Sequence, residues 1–220
     1  MANLMELDGP RWGPASGGEA EQLVILLHGL GADGADLIGL APHWGETLPD
    51  AAFVAPNAPF PCDMAPMGYQ WFSVQNQSPE GRLAAAQAVA PALDAFIDAE
   101  LARAGLGAES MALVGFSQGT MMSLYVAPRR AAGMAAVVGY SGRLLAPELL
   151  SDEAVSKPPV MLIHGELDDL VPFSCMAEAE AGLTAVGFDV QTLACPGIGH
   201  GIDPRGLQRG GSFLQAAFAG

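Results

Sequence analysis

The sequence predicts a three-layer α/β fold, with helices on both faces of a mostly parallel central sheet. Three observations point to it. Short apolar runs rich in β-branched residues alternate along the chain with longer stretches of helical spacing. Those runs are almost continuously hydrophobic, which suits strands covered on both faces. The chain has 220 residues, half of them hydrophobic, enough to bury one core without a disulfide or metal staple. One domain over residues 1–220 is therefore expected.

The first strand falls at 23–27, Leu-Val-Ile-Leu-Leu, and the second at 52–54. Residues 57–81 then break the rhythm with several prolines and the pair Trp71-Phe72. A loop of that length in a compact domain is usually functional or mobile. Residues 82–105 form the clearest helix: Leu83, Ala86, Val89, Ala90, Leu93, Ile97 and Leu101 recur at three- and four-residue spacing, and Gly105 supplies a stop. Pro91 inside it predicts a kink. A strand at 111–114 precedes a helix at 118–127, and a strand at 136–138 follows. The strand at 160–163, a helix at 173–186, a weaker strand at 190–193 and a helix at 207–219 complete the alternation.

Composition excludes several functions. No apolar run is long enough for a membrane span, so stable membrane insertion is not expected. The N-terminal residues lack the pattern of a signal peptide. Cys62, Cys175 and Cys195 match neither a disulfide framework nor a zinc site, which favours a reduced, cytoplasmic setting. Nine basic residues face 24 acidic ones, a net charge of −15. Such a field repels nucleic acid and anionic lipid surfaces and favours neutral or cationic small molecules. The oligomeric state is open, a homodimer included.

Gly115-Phe116-Ser117-Gln118-Gly119 matches G-x-S-x-G. With 28 glycines in the chain the pentapeptide alone is moderate evidence. Its place between a predicted strand and a predicted helix strengthens it, because that turn exposes the serine hydroxyl and needs glycines at its flanks. A serine nucleophile requires a base, and the base requires an orienting acid. Downstream lie two histidines. His164 ends a strand and is expected to pack locally, whereas His200 lies in the loop Pro196-Gly197-Ile198-Gly199-His200-Gly201 and is the better base. Asp168 and Asp169 both follow the 160–163 strand, past the sheet edge where α/β sites assemble, and spacing does not choose between them.

A second glycine loop, Gly29-Leu30-Gly31-Ala32-Asp33-Gly34, fits G-x-G-x-x-G and suggests a nucleotide-dependent oxidoreductase as a rival function. The acid that would hold the ribose is misplaced, since the next strand ends Val54-Ala55-Pro56-Asn57. A His-Gly loop offering a backbone N–H to a developing oxyanion fits better.

Together the stretch from Gly9 to Gly18, the His28 to Gly34 loop, Ala55-Pro56-Asn57-Ala58-Pro59, Gln70-Trp71-Phe72, the Ser117 pentapeptide, the segment from His164 to Pro172 and Gly199-His200-Gly201 resemble the phospholipase/carboxylesterase family of α/β-hydrolases. The resemblance covers nearly the whole chain in the family's motif order. It implies an α/β-hydrolase fold without a large cap domain, and a serine carboxylesterase that hydrolyses small-molecule esters with neither metal nor organic cofactor. It makes Ser117 the nucleophile, His200 the base and Asp168 the acid. Leu30 and Gln118 would supply the oxyanion-hole N–H groups, while Trp71, Phe72 and Leu170 would line the acyl side. Met64 and Met67 are expected to border that cleft. No equivalent of the longer apolar segment of thioesterase members is identifiable, which favours short- to medium-chain acyl groups over long ones; thioesters and lysophospholipids stay open beside carboxylic esters. A non-catalytic binding protein on the same fold is the remaining rival.

Overall fold

The apolar runs become strands because residues that cannot face water on either side are satisfied in the middle layer of a sandwich. A computed structural model describes residues 5–220. In chain order it contains β1 (Arg11–Trp12), β2 (Gln22–Leu27), two four-residue helices α1 (Gly34–Leu37) and α2 (Ala41–Trp44), and β3 (Ala51–Val54). A hairpin of β4 (Phe60–Pro61) and β5 (Tyr69–Gln70) precedes α3 (Pro79–Ala104). Then come β6 (Met111–Phe116), α4 (Gln118–Val126), β7 (Ala136–Tyr140), α5 (Leu150–Glu153) and β8 (Val160–Gly165). The chain ends with α6 (Ser174–Ala185), β9 (Val190–Cys195) and α7 (Pro204–Ala219).

Seven strands form one sheet in the order β1-β3-β2-β6-β7-β8-β9. All neighbours are parallel except the edge pair β1 and β3. Alternate side chains of β2 serve opposite layers. Leu23, Ile25 and Leu27 pack with residues of α3, α4 and α6, and Val24 and Leu26 pack with Trp44 of α2 and Phe213 and Leu214 of α7. The register sets Leu27 beside Gly115, Phe116 beside Tyr140, and Tyr140 beside Ile163. His28, Ser117, Ser141 and His164 therefore emerge near one another along the C-terminal edge of the sheet, where open α/β sheets bind ligands.

The structure differs from the sequence expectations in the 57–81 segment and at the starts of two helices, the last of which begins at Pro204 rather than Leu207. The 57–81 segment is not wholly irregular, since it holds the β4–β5 hairpin. The long helix begins at Pro79, three residues before Arg82, because Ser78 caps it by accepting the Gly81 N–H at 3.0 Å and Pro79 suits the first turn. It continues through Pro91 and ends at Gly105, whose φ of 68° few other residues tolerate. Among the described residues no helix is long and apolar enough to cross a membrane. The three cysteines are free and buried.

Candidate active site

Ser117 sits in the turn from β6 into α4 with φ 54° and ψ −113°, a backbone conformation costing on the order of 1–3 kcal/mol. The neighbouring glycines make the turn feasible. A Cβ on Gly119 would collide with the Leu27 carbonyl, and one on Gly115 with the backbone of Gly119 and Thr120. Packing and hydrogen bonds hold the strain in place. The Ser117 N–H donates to the Tyr140 carbonyl at 2.8 Å, and the Thr120 hydroxyl lies 2.8 Å from the carbonyls of both Gly115 and Tyr140.

The turn after β8 brings Asp168 to the loop after β9. Its Oδ2 is 2.7 Å from Nδ1 of His200, and its Oδ1 accepts the N–H groups of Leu170 at 3.0 Å and Val171 at 2.8 Å. Burial pushes the Asp168 carboxyl up, but the His200 hydrogen bond and the Val171 and Leu170 N–H groups outweigh it and hold the pKa below the ordinary value. Asp168 therefore remains a carboxylate well below neutral pH. Asp169 is exposed and has no side-chain hydrogen bond among the described residues. Of the two neighbours, Asp168 is the one hydrogen-bonded to His200. His164 is buried, with Nε2 2.9 Å from the Val171 carbonyl and 3.2 Å from Asp168 Oδ2. It packs locally, as expected, but against the Asp168 carboxylate.

Both ring nitrogens of His28 are engaged, one with the Gly29 carbonyl at 2.7 Å and the other accepting the Ala58 N–H at 2.9 Å. The imidazole is therefore neutral with its proton on Nδ1, and burial lowers its pKa. The Gly29 carbonyl and the Leu30 N–H belong to one planar trans peptide, so fixing the first aims the second the opposite way. Neither the Leu30 nor the Gln118 N–H is taken by another group among the described residues. The sequence points to the His-Gly loop but not to these imidazole hydrogen bonds, because both reach backbone groups and leave no side-chain pattern.

Leu30, Ser117, Gln118 and His200 line a cavity of about 340 Å³, together with Phe72 and Leu170. Phe116 also lines it, with its ring centroid 4.9 Å from that of His200. Trp71 does not. It is fully buried behind the wall, where its indole N–H donates to the His28 carbonyl at 2.9 Å and its backbone N–H to Gln118 Oε1 at 2.8 Å. The adjacent Trp71 and Phe72 are thus split, with Phe72 on the cavity wall and Trp71 behind it. Met64 and Met67 are exposed and stand away from the cavity. Trp71→Ala is expected to lower unfolding free energy by about 3–5 kcal/mol in denaturant titration. The preferred acyl length should stay where it is; a longer optimum with unchanged stability would place Trp71 in the cleft.

The rival dinucleotide loop leads only into the four-residue α1, too short for the helix N-terminus such a site uses. Asn57, at the position where the ribose would need an acid, accepts the Gly34 N–H at 2.8 Å and pins the loop instead. Among the described residues no group of three or more potential metal ligands converges.

The phospholipase/carboxylesterase family pattern matches residues 15–218. The chain belongs to that family. It is 32% identical to Esterase YpfH of Escherichia coli (strain K12) over 86% of this chain and 80% of that protein. It is 28% identical to Acyl-protein thioesterase 1 of Gibberella zeae over 87% of this chain and 88% of that protein. Among solved structures, esterase PE8 matches with a TM-score of 0.92 and 44% identity, covering 96% of this chain and 99% of that one. The protein is thus an α/β-hydrolase and, as a family member, a serine hydrolase of ester bonds.

Proposed function

We propose that the protein is a carboxylesterase for short- to medium-chain esters, working through Ser117, His200 and Asp168. One observation carries the reading: the strained Ser117 and His200 line the same cavity, and Asp168 holds the His200 Nδ1 at 2.7 Å. With the proton held on Nδ1, Nε2 is left as the base. It takes the Ser117 proton as Oγ attacks the ester carbonyl, and the oxyanion develops toward the N–H groups of Leu30 and Gln118. Loss of one such donor typically lowers turnover about a hundred- to a thousandfold. The imidazolium then gives its proton to the leaving alkoxide, and water repeats the sequence on the acyl-enzyme. No hydrogen bond joins Ser117 to His200 in this structure. Such contacts commonly tighten only when substrate is bound.

Chain length follows from size. A cavity of about 340 Å³ lies at the small end of ligand sites, and Phe72, Val74 and Met121 give it an apolar wall. Each methylene that finds this wall contributes about 0.8 kcal/mol, or about fourfold in kcat/KM. In a panel of straight-chain esters, kcat/KM should climb by about that factor per carbon and then flatten or fall among medium chains. A monotonic rise into long acyl chains would contradict the assignment.

A further inference from the structure

The chain carries 24 acidic residues against nine basic ones, so an unpaired cation in a cleft is conspicuous. Arg11, Arg103, Arg129 and Arg130 each have a carboxylate partner. Arg82 and Arg143 both line the cavity that holds Ser117, and among the described residues neither has a carboxylate oxygen within 4.0 Å. Among those residues, the only side-chain hydrogen bond of either guanidinium is from Arg82 Nη2 to Gln77 Oε1 at 3.2 Å. Glu80 and Glu148 border the neighbouring cavity, which the two arginines also line, without pairing to them.

Burial, and next the charge of Arg143, lower the Arg82 pKa, so the two cations feel each other. Two half-buried like charges without a counter-ion destabilise the fold unless something anionic joins them. Their backbone positions are also fixed. Arg143 stands three residues after Tyr140, whose carbonyl accepts the Ser117 N–H. The intervening turn has Ser141 at φ 47° with a buried hydroxyl that finds no partner among the described residues, and a Cβ on Gly142 would collide with Thr120 of α4. Strain of this kind persists where surrounding structure over-determines it, and it clusters at ligand sites. Arg82 projects from the first turn of α3, set by the Ser78 cap.

We propose that Arg82 and Arg143 form an anion-binding subsite of the catalytic cavity, selecting esters that carry a carboxylate or phosphate remote from the scissile carbonyl. The subsite rests on the esterase reading and deepens it. Guanidinium forks match both anions, and a charged acceptor strengthens each hydrogen bond. Phe72, Val74 and Met121 line the same cavity, so the anion is joined to the ester by a short aliphatic tether. The net charge of −15 favours neutral or cationic ligands for the molecule as a whole, but at this wall the local sign is reversed.

Matched esters test it. Monomethyl glutarate and methyl pentanoate differ only in a terminal carboxylate; monobutyrylglycerol 3-phosphate and monobutyrylglycerol differ only in a phosphate. Binding to the Ser117→Ala protein is read by calorimetry, and hydrolysis by the wild type as kcat/KM. At least one anionic ester should bind and react on the order of tenfold to a hundredfold better than its neutral partner, and the pair that does so identifies the anion. Arg143→Gln and Arg82→Gln should bring that ratio toward one, while Arg143→Lys, which keeps the charge without the fork, should leave it intermediate. Equal behaviour within both pairs, or a ratio untouched by the arginine substitutions, overturns the proposal. Anion-selective binding without turnover of any ester would support the subsite and overturn the esterase reading instead. Turnover without selectivity would do the reverse.

Discussion

Ser117→Ala should lower kcat for ester hydrolysis by on the order of a millionfold while leaving the melting temperature nearly unchanged. The two halves have separate causes. In the proposed mechanism the hydroxyl oxygen is the reacting atom, so its loss removes the acyl-enzyme route altogether. Its contribution to the fold is small, because the oxygen makes no hydrogen bond among the described residues and the strain belongs to the backbone. Alanine at φ 54° meets the same strain as serine. Thermal unfolding measured beside steady-state kinetics checks both halves. A large loss of stability would mean that the inactivity reports unfolding, and retained turnover would remove Ser117 from the chemistry.

Asp168→Asn should cost on the order of ten-thousandfold in kcat, as it does in a Ser-His-Asp protease triad, whereas Asp169→Asn should stay within a few-fold of wild type. In the first variant the carbonyl oxygen of the introduced amide would keep accepting the Leu170 and Val171 N–H groups now held by Oδ1. That leaves the amide NH2 facing His200 Nδ1, which must then accept a hydrogen bond and carry its proton on Nε2. An imidazole in that tautomer aims a proton at Ser117 and cannot take one. Asp169 is exposed and touches none of these groups. Kinetics of the two variants decide the matter, and the reverse order of losses would move the acid by one residue.

The strands are legible in the sequence because a parallel sheet covered on both faces must be written as unbroken apolar runs, as at Leu23 to Leu27. The turn at Ser117 is legible because it demands glycine at two fixed offsets. What stays hidden has little local signal. Helices α1, α2 and α5 have four residues each, and β1 has two, too few to show a period. The start of α3 escapes a sequence reading because its cap, Ser78-Pro79, is also ordinary loop composition. Trp71 reads as a cleft residue because a sequence cannot say which of two adjacent aromatics faces inward. The hydrogen bonds of the His28 imidazole and the meeting of Arg82 with Arg143 at the Ser117 cavity join residues far apart in sequence, and only the fold brings them together.

Whether the fold makes Ser117 reactive decides everything that follows from the site. The most direct measurement is treatment with a fluorophosphonate, which phosphonylates only activated hydroxyls, followed by peptide mass spectrometry. One adduct is expected, on the peptide containing Ser117, formed rapidly by the wild type, slowly by Asp168→Asn and not at all by Ser117→Ala. An adduct on another residue, or a wild type that stays unlabelled, would contradict a reactive Ser117.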